Sequence, residues 1–254
     1  MRARRYLMTG TLVLAGLFAL AALLAASGVR AAEEPKESIR AQKSPVTSKG
    51  VQKGEETEAL KQDLPKAMFE GTPKNIKPSP HLEKYIDKGR PPFLVPKGCA
   101  NLAAKKPVKS SDSMPIIGEI ELVTDGDKEG TDGSYVELGP GLQWVQIDLQ
   151  QKAKIYGILA WHYHAEGRVY HDMVIQVSDD PDFIEGVKTV YNNDFDNSAG
   201  LGIGHDKEYI EDYRGRLIDA GGVEGRYVRL YSSGNTSNDQ NHYIEVEVIG
   251  KPAK

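Results

Sequence analysis

From Trp144 the apolar positions recur at every second residue, with Val145, Ile147 and Leu149 alternating against Gln146 and Asp148. A period of two places one set of side chains on one face, which predicts a half-buried β-strand. Residues 155–163 are apolar on both faces and predict a central strand. Four more strands are expected over 173–178, 188–191, 226–231 and 244–250, the first of them closed by the turn Asp179-Asp180-Pro181-Asp182. No stretch after Asn101 keeps a helical period. Short strands broken by frequent turn signals predict an all-β sandwich over residues 99–251. One long polar insertion, 192–218, interrupts it, and its Gly200-Leu201-Gly202-Ile203-Gly204 run reads as a flexible hairpin tip.

The pattern ahead of that domain is different. Arg2, Arg4 and Arg5 precede an apolar run from Leu7 to Ala26, and small residues surround Val29-Arg30-Ala31. This predicts a signal peptide over 1–31 and a secreted, periplasmic or cell-surface location. An uncleaved anchor is the alternative, because the run is about as long as the roughly 20 residues a membrane helix needs. Residues 32–80 are rich in Lys, Glu, Ser, Pro and Gln without hydrophobic period, which predicts a disordered linker. Residues 81–98 mix apolar positions with prolines and lysines and predict an extended arm packing on the domain.

Composition narrows the function. The 254 residues carry a net charge of -4 and show no basic stripe, which disfavours nucleic acid as a partner. A single cysteine, Cys99, leaves the fold without an internal disulfide. Asp125, Asp127, Asp132 and Ser134 gather hard oxygen ligands in a Gly-rich loop, the donor type calcium prefers. His162 and His164 share a strand face at i and i+2, and with Glu166 they invite comparison with the metal motif of cupins. That motif separates its second His from its Glu by three or four residues, whereas only Ala165 intervenes here. There is no Gly-x-Ser-x-Gly elbow and no glycine loop leading into a helix. The carboxylates at 179–182, 194 and 196 fall in turns that they themselves support. The expectation is a protein that is not an enzyme.

Five groups of residues, taken in order, resemble the discoidin domain, also called the factor V/VIII type C domain, of the galactose-binding-like superfamily. They are Asn101-Leu102-Ala103 with Lys106-Pro107-Val108, then Asp125-Gly126-Asp127, Trp144 to Leu149, Ile175 to Ser178, and Arg226 to Tyr231 followed by Glu245 to Gly250. The resemblance implies an eight-stranded jelly-roll β-sandwich with ligand loops at one end, similar to bacterial carbohydrate-binding modules. It implies a structural calcium held by Asp125, Asp127 and Glu245, with Asp132 and Ser134 as further ligands. It also implies a sugar site in which His164 and Arg168 follow the central strand, with His162 beside them. Tyr135 and the loop carrying Asn238, Asn241 and His242 would form the opposing wall. Carbohydrate is the implied partner, and a surface protein bound by an adhesion or assembly module of the same fold is the alternative. Membrane insertion is disfavoured because the candidate loop tips are mostly polar.

Overall fold

A computed structural model describes residues 44–87 and 89–253. The expected signal peptide and the first part of the expected linker lie outside the described residues. Twelve strands follow one another: β1 (Val46–Thr47), β2 (Thr57–Ala59), β3 (Phe93–Pro96), β4 (Ala100–Asn101), β5 (Val108–Ser110), β6 (Val136–Leu138), β7 (Gln143–Trp161), β8 (Val174–Ser178), β9 (Lys188–Asn192), β10 (Arg216–Ser232), β11 (Asn241–Tyr243) and β12 (Glu245–Pro252). A short 3-10 turn, Ile120–Thr124, lies between β5 and β6. Among the described residues no helix is long and apolar enough to cross a membrane.

The fold is an all-β jelly-roll sandwich built around two long bent strands. The hydrogen-bonded order is β4-β12-β7-β10-β8-β9, with β5 also on β7. The pairing of β7 with β10 breaks register between Asp219 and Val223 and again between Gly225 and Tyr227. Such bulges bend a strand and sharpen its twist. The second half of β7 therefore pairs with β12 and with the first half of β10, while its first half pairs with β5 and the second half of β10. Ile147, Leu149, Val228 and Ile175 from one set of pairings share a core with Ile155, Ile158, Val246 and Val248 from the other. Both expected strands at 144–149 and 155–163 are thus one strand, because Gln150 takes a φ of 63° and turns the chain without ending it. The expected strand at 226–231 likewise extends back to Arg216, through Gly221 and Gly222 at positive φ.

Residues 44–80, read from composition as disordered linker, are instead held against the sandwich. β1 runs parallel to β3 and β2 antiparallel to it, making a small sheet of their own. Phe93 and Val95 of β3 are buried against Tyr156, Leu159 and Trp161 of β7, Ile249 of β12 and Ile244 just before β12. Ser48 Oγ donates to Asp219 Oδ1 at 2.7 Å, and the Lys49 amide to Asp219 Oδ2 at 2.9 Å. Gly50 lies so close to the β10 bulge that a Cβ there would meet the Gly221 carbonyl carbon at 2.5 Å. We call residues 44–98 the strap. Its apolar residues are too few to make a core alone, and they are ordered by a sheet face that composition cannot reveal.

The insertion is also ordered rather than loose. Asn192 donates its amide to Asp206 Oδ2 at 2.7 Å and its side-chain amide to the Gly202 carbonyl at 2.9 Å. Tyr209, Ile210 and Glu211 at its far end are buried. Cys99 is a half-buried free thiol.

Candidate functional site

The end of β7 delivers His162, Tyr163 and His164 beyond the last ladder pairing, and alternation sends them different ways. Both histidines are completely buried. His162 stacks on Tyr170 with ring centroids 4.4 Å apart, and its Nδ1 lies 2.7 Å from Glu211 Oε1. Tyr209 donates its hydroxyl to the same oxygen at 2.8 Å. His164 Nε2 lies 2.9 Å from the Lys128 carbonyl, and its ring presses on Gly130 so closely that a Cβ there would sit 2.9 Å from Cε1. The two rings expected to face sugar are therefore packed into the body of the domain, and they address different partners. Asn241 is also withdrawn. It is fully buried, its side-chain carbonyl accepts from Ser232 Oγ and the Gly234 amide, and its side-chain amide donates to the carbonyls of Gly139 and Gly141. That saturates it. Asn238 is half-buried and bonds within its own loop to Asn235 and Gln240.

What remains together is an aromatic cluster around a guanidinium. The Arg168 Cζ lies 4.4 Å over the Tyr163 ring. Tyr135 meets Tyr163 edge-on at 5.2 Å, and His242 lies 5.7 Å from Tyr135 and 5.8 Å from Tyr163. Arg168 Nη2 donates to Glu166 at 3.1 Å, yet its Nε and Nη1 are buried without a hydrogen-bond partner. Beside Gly167 stands the strap, whose Pro73 would be 2.2 Å from a Cβ at that glycine. Tyr163 and Glu137 escaped the sequence reading. Period two was the available signal for Tyr163, since it must face opposite to the histidines on either side.

His242 is held from both sides, with Nδ1 3.0 Å from the Tyr170 hydroxyl and Nε2 3.1 Å from Glu137 Oε2. Burial, then the positive charge of Arg168 and a smaller contribution from His162, depresses its pKa to about 4. A neutral ring fits both contacts, with Nε2–H donating to Glu137 and Nδ1 accepting from Tyr170. Burial raises the Glu137 carboxyl, and Arg168 opposes the rise.

The acidic turn lies at the other candidate centre. Asp125 Oδ1 accepts the Asp127 amide at 2.8 Å, and Asp127 accepts the Glu129 amide at 2.9 Å and Ser134 Oγ at 2.9 Å. Glu245, the first residue of β12, reaches this turn and accepts the Gly126 amide at 3.1 Å on Oε2. Its Oε1 is buried and has no partner. Burial pushes the Glu245 carboxyl up to about 8, with Glu247 and Asp125 adding to the rise and Lys128 opposing it. The orphaned Glu245 oxygen has the chemistry a hard cation takes, but Asp125, Asp127 and Glu245 do not bring three ligand oxygens within 4.8 Å of one another. Asp132 does not join them: it is exposed and makes no hydrogen bond among the described residues. A separate group, Asp172, Asp194 and Asp196, brings its carboxylates within 4.8 Å of one another. Those of Asp194 and Asp196 are already engaged by the amides of Ser198 and Ala199.

No protein-family model and no curated protein matches the chain. Its fold is similar to several solved modules. One is the CBM32 of AlyQ in complex with 4,5-unsaturated mannuronic acid, at 22% identity over 56% of this chain and 92% of that one, with a TM-score of 0.39. Another is a fucose binding module of Streptococcus pneumoniae, at 20% identity over 59% of this chain and 96% of that one, with a TM-score of 0.42. A family 89 glycoside hydrolase from Clostridium perfringens is similar over 60% of this chain at 18% identity and a TM-score of 0.45, but only 15% of that enzyme is covered.

Proposed function

We propose that the chain is an exported, non-catalytic carbohydrate-binding module acting at the cell surface or in the surrounding matrix, with its sugar contacts centred on Arg168. The observation that carries the reading is the pair of buried, unpartnered nitrogens on Arg168, beside two tyrosine rings and a carboxylate. A buried donor without an acceptor costs about 1–3 kcal/mol, and more when charged. A sugar hydroxyl would supply that acceptor on displacing the side chains that close both nitrogens to solvent. Tyr163, partly exposed with Tyr135 buried behind it, offers apolar surface for a C–H face of the ring, and Glu137 accepts from a second hydroxyl. The Tyr170 hydroxyl lies on His242, which Glu137 holds in turn, but Tyr170 is buried away from any substrate, so binding rather than turnover is what this chemistry supports.

Calcium belongs to the same reading. Asp125, Asp127, Ser134 and Glu245 would hold it, and the ion would supply the positive charge that Glu245 Oε1 lacks, tying the acidic turn to the start of β12. It would stabilise the loop end without contacting sugar.

NMR titration with galactose, N-acetylhexosamines and an acidic polysaccharide tests the sugar reading. The expected result is shifts confined to Tyr135, Tyr163, Arg168 and their neighbours, with millimolar affinity for single sugars, about 4 kcal/mol. Arg168→Ala should abolish them and leave the remaining spectrum in place. No shift with any sugar would overturn the proposal and leave the alternative, a protein-binding adhesion module of the same fold.

A further inference from the structure

The strap and the start of β10 enclose a cleft of about 320 Å3 that shares no residue with the Arg168 cluster. That volume sits at the lower end of the roughly 300–1,000 Å3 typical of small-molecule sites. Tyr85, Phe93, Ile210 and Leu217 give it apolar walls, and its lining also carries three guanidinium groups, Arg90, Arg214 and Arg216, and the ammonium of Lys84.

The charges of the lining do not balance. Arg214 is paired with Asp212, both its Nε contacts lying at 2.9–3.0 Å. Arg216 is paired with Glu83 at 2.6 Å. The third acid of the lining, Asp219, is taken by Ser48 and by the amides of Lys49 and Gly221. Arg90 donates to the Arg214 carbonyl and forms no ion pair among the described residues. Burial, then the charge of Arg214, lowers its pKa to about 10. With Lys84 counted, four cations face the three carboxylates Glu83, Asp212 and Asp219, so the lining carries one positive charge in excess, and Arg90 is the guanidinium without an ion pair among the described residues.

We propose that this cleft is a second binding site, for a small carboxylate with a planar apolar body, whose carboxylate pairs with Arg90 while its body lies against Tyr85, Phe93 and Leu217. A planar carboxylate matches the two-pronged face of one guanidinium. A monoanion neutralises the single excess charge, whereas a phosphate dianion would bring a further negative charge toward Asp212 and Glu83. A neutral sugar would leave most of its hydroxyls facing apolar walls, at a desolvation cost. The proposal does not rest on the sugar site, and neither reading depends on the other.

Saturation-transfer NMR on the whole chain with 3-phenylpropionate and its neutral amide provides the test. The acid should bind at least tenfold more tightly than the amide, which needs no variant and so no assumption about folding. Arg90→Gln should weaken the acid at least tenfold, and Leu217→Trp should block it by filling the cleft with the charges untouched. Arg168→Ala should leave it unchanged. Absence of saturation transfer to the acid would overturn the proposal. So would equal binding of acid and amide, retention in both cleft variants, loss in Arg168→Ala, or full displacement by equimolar inorganic phosphate.

Discussion

At the scale of single residues, burial decides which side chains are available to a ligand and which are charged. His162, His164 and Asn241 have the polarity of a sugar site and none of its exposure. Arg168 is nearly as buried, at 9% exposed, and keeps two unpartnered nitrogens where His162 and His164 keep one each. His242 illustrates the coupling to pH. It titrates near 6.5 in an unfolded chain and near 4 in the fold, so between these values the unfolded state binds the extra proton. Stability from this residue is complete above about pH 6.5 and is lost as pH falls toward 4. Urea unfolding at pH 7 and pH 5 should show the native protein losing roughly 2 kcal/mol more than His242→Gln across that interval. Equal losses in the two proteins would show that the ring is not held neutral.

At the scale of elements, the decisive object is the strap. Its strand β3 supplies two buried side chains to a cluster otherwise drawn from β7, β12 and the adjoining Tyr135 and Ile244. Phe93 is only 6% exposed and lies over Tyr156, Leu159 and Trp161. Phe93→Ala should therefore cost about 3 kcal/mol through lost burial and the cavity left behind. If the strap were a tether resting on the domain, the cost would fall within about 0.5 kcal/mol, and chemical denaturation distinguishes the two. The same element forms one wall of the Arg90 cleft and brings Pro73 against Gly167. Both candidate sites are thus bordered by residues that precede the sandwich in sequence.

At the scale of the whole molecule, Glu245 links folding to pH and, on the proposed reading, to calcium. Its carboxyl titrates near 8 in the fold against about 4.5 when unfolded, so across that range the folded state binds more protons. Without metal, its contribution should fall as pH rises from about 4.5 to 8. Calcium favours the ionised carboxylate and should cancel that loss. The melting-temperature gain from calcium is accordingly expected to be small at pH 5 and larger at pH 8. For an ion at a hundredfold excess over its Kd the linkage amounts to about 2.7 kcal/mol. Glu245→Gln should flatten the pH trend and reduce the calcium gain. A melting temperature indifferent to calcium and chelator at both pH values would remove the metal from this protein.

The amino-acid sequence by itself determined the class of fold, because period-two alternation in Val145, Ile147 and Leu149 and its repeats is a local property imposed by strand geometry. It also placed the acidic turn and the start of β12 as partners, through the discoidin-like order of the pieces. Alternation could tell which residues share a face, but not which face is covered. Tertiary structure alone decided that His162 and His164 point into packed surroundings, that Asn241 is spent on Ser232 and on loop backbone, and that Tyr163 and Glu137 complete the cluster at Arg168. It also decided the order of residues 44–80. Their composition lacks the apolar area to fold alone, and the surface that holds them, from Tyr156 to Ile249, is assembled from strands about a hundred residues and more further along the chain. The Arg90 cleft exists for the same reason, since Phe93 and Leu217 become neighbours only when the strap has docked.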